Sequence, residues 1–139
     1  LVPLSVAIRV VRLLNPTMHT SHAHMYVMLT CHILSSKARK LIENAAEIYI
    51  SAATFWEMAI KVGLGKLTVD LEEIREYCLE SGFVELPVTS EHAIAVKDLE
   101  HHHKDPFDRL IVATAMSEPT RLLTADTQVA QYTSLAILV

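Results

Sequence analysis

The chain has 139 residues, 51% of them apolar and 20% charged, with a formal net charge of −4. That size and composition suit one compact domain and leave out a disordered or low-complexity protein. The acidic balance leaves out a protein that grips nucleic acid by an overall basic surface, so any contact with RNA has to be local.

Residues 1–17, LVPLSVAIRVVRLLNPT, are apolar but interrupted by Arg9 and Arg12. The stretch is too short to cross a bilayer and lacks a small-residue cleavage pattern, so no membrane attachment is expected. It reads as an N-terminal extension to a domain over 18–139, and an opening Leu in place of Met is expected of a fragment, an alternative start or upstream sequence read through. MHTS at 18–21 is expected as a short first strand. Serine caps then open a helix over 35–45 that sets Ala38, Leu41, Ile42 and Ala45 on one face.

EIYIS at 47–51 reads as a second strand, followed by a helix over 52–63 that ends at Gly63 and Gly65. An amphipathic helix over 70–81 turns Leu71, Ile74 and Cys78 inward and stops at Gly82. A third strand is expected at 83–88, helices at 90–100 and 105–116, and strands at 121–125 and 135–139. Alternation of strands and helices predicts an α/β domain with a parallel sheet, in which ligands gather beyond the carboxyl ends of the strands. Cys31 and Cys78 lie far apart without a CxxC pairing, which points to a reduced, cytoplasmic compartment.

Three acids stand where such a fold does chemistry. Asp126 follows the apolar run RLLTA and is either a metal ligand at a strand end or the cap of the next segment. In DPFD, Asp105 suits an N-cap, Pro106 the first helical position and Asp108 the third, where an acid favours the helix dipole. Yet Asp108 introduces RLIVATA, a run so apolar that the helix must be largely buried. Glu57, inside FWEMAI, closes a capping box with Thr54, or, if the helix starts at Ser51, lies in its second turn. A carboxylate amid so much apolar surface costs several kcal/mol unless compensated, and a cation compensates it.

His101, His102 and His103 are consecutive, so their side chains diverge, and no HExxH or Cys/His zinc spacing occurs. A solvated loop is the expectation for them. No P-loop, GxGxxG or GxSxG is present.

ISAATFWEMAIKVGLGKL (50–67), HHHKDPFDRLIVATAM (101–116) and LLTAD (122–126), with LSSKARKLIEN (34–44) and LPVTSEHAIAV (86–96) between them, resemble successive blocks of a PIN domain of the VapC toxin type. The resemblance runs from about residue 18 to 139. It implies a three-layer α/β/α sandwich with a central parallel sheet and a carboxylate cluster that binds Mg²⁺ or Mn²⁺ and hydrolyses RNA phosphodiesters. On this matching the catalytic and metal-holding acids are Glu57, Asp108 and Asp126, with Asp105 an additional acid. The family's first-strand Asp has no counterpart: MHTSHAHMY is the best match, Thr20 occupies its position, and no acid precedes Glu43.

The implied function is an endoribonuclease toxin with an RNA substrate and a cognate antitoxin, able to form a homodimer, and impaired by the neutral Thr20. The alternative is a catalytically degenerate PIN domain that keeps partner binding. A zinc module built on the histidines is a third reading.

Overall fold

A computed structural model of the chain describes residues 10–12, 36–45, 47–102, 104–118, 120–124 and 126–138. In chain order the elements are strand β1 (Val10–Arg12), helix α1 (Ser36–Glu43), strand β2 (Glu47–Ser51), helix α2 (Ala52–Gly63), helix α3 (Leu71–Glu80), strand β3 (Val84–Leu86) and helix α4 (Ser90–Ala95). A 3-10 turn (Val96–Asp98) leads to helix α5 (Pro106–Ser117), strand β4 (Leu122–Thr124), helix α6 (Thr127–Ala130) and strand β5 (Ala136–Leu138). The strand expected at 18–21 lies outside the described residues, as do Thr20 and Cys31.

β2 pairs with β3 in parallel, Tyr49 opposite Val84, and β4 pairs with β5 in parallel, Leu122 opposite Ala136. Helical crossovers connect the members of each pair, as parallel neighbours require. β1 comes from the segment read as an extension; it runs antiparallel to β2, Val10 opposite Tyr49, and also stands beside β4. Its paired valines favour a strand.

Alternation along the strands divides the core into two layers. Ile48 and Ile50 join Ile42 of α1, Cys78 of α3 and Leu123 of β4 in one cluster. Tyr49 packs instead against the cluster of Ala53, Ile111, Val112, Leu122 and Val129. Leu122 and Leu123 are adjacent on β4 and part in the same way, because successive strand side chains face opposite sides. Helices α1 and α3 therefore cover one face, and α5 and α6 the other. The α/β fold with parallel strands is the one expected.

Both long helices before β3 end in the same device. Gly82, at φ +82°, lets Phe83 N–H reach the Cys78 carbonyl at 2.9 Å and its own N–H reach that of Leu79 at 3.1 Å. Gly65, at φ +68°, does so for Lys66 and Lys61 at the end of α2. The α2 stop is thus Gly65, while Gly63 is still helical. Phe83 belongs to this closure and Pro87 has no N–H to give, so the strand expected over 83–88 shortens to three residues.

The helix expected over 90–100 stops at Ala95. Beyond it the carbonyls of Val96, Leu99 and Glu100 turn toward the Arg109 guanidinium rather than continuing a helical ladder. At its start α4 has a reciprocal cap: Thr89 Oγ1 accepts from the His92 backbone N–H, and His92 Nδ1 accepts from that of Thr89 at 3.2 Å. The buried His92 ring also places Nε2 2.6 Å from Glu118 Oε1 at the end of α5. No helix among the described residues is long and apolar enough to cross a membrane.

Candidate active site

β2 runs directly into α2. Ser51, in extended backbone, caps the helix by accepting the Ala53 N–H at 3.1 Å. The cap therefore sits three residues before Thr54, which corrects the Thr54 capping-box reading and puts Glu57 in the second turn. Thr54 is buried, and its hydroxyl has no hydrogen-bond partner among the described residues. The Glu57 side chain is only 13% exposed, and its Oε1 accepts from Lys61 Nζ at 2.8 Å. Lys61 is absent from the sequence reading, although Glu followed by Lys four residues later is a recognised helix-pair signal.

The start of α5 follows its local sequence logic. Asp105 Oδ1 accepts the N–H groups of Phe107 at 2.8 Å and Asp108 at 3.3 Å, and Pro106 opens the helix. Asp108 is nonetheless 9% exposed, an acid held in the first turn of a buried helix. Asp126 caps α6, Oδ1 accepting from Gln128 N–H at 2.7 Å and Val129 N–H at 3.4 Å, while its own N–H donates to the buried Thr124 hydroxyl at 3.0 Å. The capping role weighed for Asp126 is thus one that it has.

Glu57 follows the carboxyl end of β2, in the three-stranded sheet, and Asp126 follows that of β4, in the two-stranded one. Two contacts tie α5, which carries Asp108, to its neighbours. The ring of Phe107 meets that of Trp56 edge-on at 4.7 Å between centroids, joining α5 to α2. Arg109 donates to Tyr132 Oη at 3.1 Å, joining α5 to the segment after α6. Arg109 also donates to the carbonyls of Glu100 at 2.8 Å, Val96 at 3.2 Å and Leu99 at 3.4 Å. Nothing in the local sequence announces that four-way role, since its partners are up to 23 residues away.

In donor chemistry Glu57, Asp108 and Asp126 fit a hard divalent cation, which prefers carboxylate oxygens. Thr54, one turn before Glu57, adds a buried hydroxyl in want of a partner. Among the described residues, however, no three His, Cys, Asp or Glu side chains are gathered closely enough to hold a metal ion. Glu57 Oε1, Asp105 Oδ1 and Asp126 Oδ1 are instead committed to Lys61 and to backbone N–H groups.

Of the histidines, His102 rests edge-on against Tyr132 at 5.1 Å and pairs with Glu100 at 2.6 Å, so it is held more firmly than a solvated loop predicts. His101 is exposed.

A family model, described as PIN domain, matches residues 21–135 of the chain. No curated protein and no solved structure matches it.

Proposed function

The chain belongs to the PIN domain family, whose members are typically metal-dependent nucleases, and on that premise we propose that it is an endoribonuclease toxin of the VapC type. Its substrate is RNA, and its catalytic carboxylates are Glu57, Asp108 and Asp126, with Asp105 beside them. The observation that supports this most is the Trp56–Phe107 contact, which couples the helix bearing Glu57 to the turn bearing Asp108.

Glu57, Asp108 and Asp126 would be the residues to hold Mg²⁺ or Mn²⁺, which would supply an activated water and neutralise charge on the phosphate. The protein's own part is to hold the carboxylates. Lys61 fixes one oxygen of Glu57, the Asp105 cap sets the backbone of Asp108, and the Thr124 hydroxyl sets that of Asp126.

The proposed partners are a cognate antitoxin and a second copy of the chain. Exposed Trp56, Ile60 and Leu64, four residues apart along α2 and its C-cap, form an apolar stripe suited to a protein partner. A reduced, cytoplasmic setting agrees with Cys78, a buried cysteine outside any disulfide.

The second reading, a PIN domain that binds partners without catalysis, is favoured by one observation: Thr20 stands where the resemblance calls for Asp. Incubating a panel of structured RNAs with the protein and Mg²⁺ or Mn²⁺ separates the two. EDTA-sensitive cleavage that disappears in Glu57→Gln is the expected result; no cleavage in either metal leaves the binding module.

A further inference from the structure

Lys61 Nζ lies 2.8 Å from Glu57 Oε1, one turn away on α2. The side chains of this pair are 22% and 13% exposed, against 53% and 34% for Arg75 and Glu85. Two charges so far out of water have given up much of their hydration, and removal of either leaves the other poorly compensated.

A purely structural ion pair gives no reason for an unsatisfied polar group beside it. Thr54 stands three residues before Glu57, a spacing at which helix side chains are neighbours. It is 2% exposed, and its hydroxyl has no hydrogen-bond partner among the described residues. Along this stripe of α2, Glu57 therefore stands between an ammonium that neutralises it and a buried oxygen donor that has yet to be used.

Lys61 suits a counter-ion that can leave. Its ammonium is a point charge on a flexible four-carbon stem, without the planar fork with which an Arg grips a carboxylate by two bonds. It also belongs to the last turn of α2, where the free carbonyls of the helix end favour a cation. An ammonium released from Glu57 keeps a favourable setting there.

We propose that Lys61 is a built-in counter-ion of Glu57 that a divalent cation has to displace, so that it limits how tightly the site takes Mg²⁺ or Mn²⁺. This role rests on the metal-binding part of the nuclease reading. It is opposite in sign to that of a residue that only holds Glu57 in position, since holding favours the metal and a competing positive charge opposes it. A dication and an ammonium that share one carboxylate repel each other by roughly tenfold in affinity even at the dielectric of water, so the charge decides the sign.

Calorimetric titration of the full chain with Mn²⁺, beside thermal melts with and without the metal, tests this. Lys61→Gln is expected to bind Mn²⁺ on the order of tenfold more tightly than wild type. Its melting temperature without metal should fall, because Glu57 loses its counter-ion. Lys61→Arg keeps the charge and stays close to wild type, and the exposed Lys66→Gln, past the end of α2, leaves affinity unchanged. In Glu57→Gln the further change Lys61→Gln brings no gain. Nitrogen NMR of the lysine side chains reads the displacement in the wild type itself, where the Lys61 Nζ resonance should move as Mg²⁺ saturates the site. Unchanged or weaker Mn²⁺ affinity in Lys61→Gln, an equal gain in Lys66→Gln, an Nζ resonance indifferent to Mg²⁺, or no metal binding at all overturns the counter-ion. RNA cleavage is assayed separately: EDTA-sensitive cleavage with Mn²⁺ affinity indifferent to Lys61→Gln removes the counter-ion alone, and the tenfold gain without any cleavage by the wild type removes the nuclease alone.

Discussion

Trp56 and Phe107 meet edge to face with their rings 60° apart, and each is the immediate sequence neighbour of a candidate acid. An aromatic pair of this geometry is worth about 0.5–1.5 kcal/mol beyond its burial. Trp56 is 57% exposed, which puts the expectation at the low end of that range. A double-mutant cycle of Trp56→Ala and Phe107→Ala, followed by urea unfolding, should return a coupling of about 0.5 kcal/mol. Both single variants should lose more RNA cleavage than stability, since Glu57 and Asp108 are displaced together. Purely additive effects would show that the contact does not couple the two helices.

Arg109 closes the loop before α5 by satisfying three carbonyls and one hydroxyl. Arg109→Met keeps the stem but strands those acceptors, at a cost of about 2–4 kcal/mol. Arg109→Lys should recover little, because an ammonium cannot span the same fork of acceptors. Tyr132→Phe removes one bond and should cost about 1 kcal/mol. Denaturant midpoints at constant m-value provide the comparison, and wild-type stability in Arg109→Lys would count against the clasp.

His92 makes a separate bond through each ring nitrogen. Since Nδ1 accepts from Thr89 N–H, the hydrogen lies on Nε2 and is donated to Glu118. His92→Phe therefore leaves the Thr89 N–H without its cap and should destabilise by about 1–3 kcal/mol. Glu118→Gln still offers an oxygen to Nε2, and its side chain is 42% exposed, so its effect should be small. Comparable losses in the two variants would place the hydrogen on the other nitrogen, a point that proton–nitrogen NMR of the ring reads directly.

Metal binding provides the fourth expectation. A cation that binds only the folded chain raises its melting temperature by mass action, so millimolar Mn²⁺ should stabilise it. Thr20→Asp should strengthen Mn²⁺ binding in calorimetric titration, because a charged oxygen replaces a neutral hydroxyl. Unchanged or weaker affinity in that variant would remove position 20 from the site.

Much of the fold is written locally. EIYIS and AATFWEMAIKVG appear over the residues where the sequence puts them, because Ser51 both ends the strand and caps the helix. The DPFD cap is likewise a matter of four consecutive residues. What escapes local reading is decided across the fold. The helix over 90–100 breaks because Arg109, which comes later in the chain, takes its carbonyls. β1 forms because β2 offers it an edge, and valines alone do not say which edge or in which direction. The candidate acids are recognisable by their setting, whereas Lys61 matters through the Glu57 carboxylate it holds, and charge alone does not single it out.

The Arg109 clasp has a dynamic consequence as well. By tying residues 96–100 to α5 and to Tyr132, it is expected to make α4, residues 96–100, α5 and the turn after α6 open as one unit. Amide hydrogens from about residue 92 to 115 should then exchange with solvent at one common free energy, as a single cooperative unit. Arg109→Met should split that unit, so that the α4 amides exchange early while those of α5 remain slow.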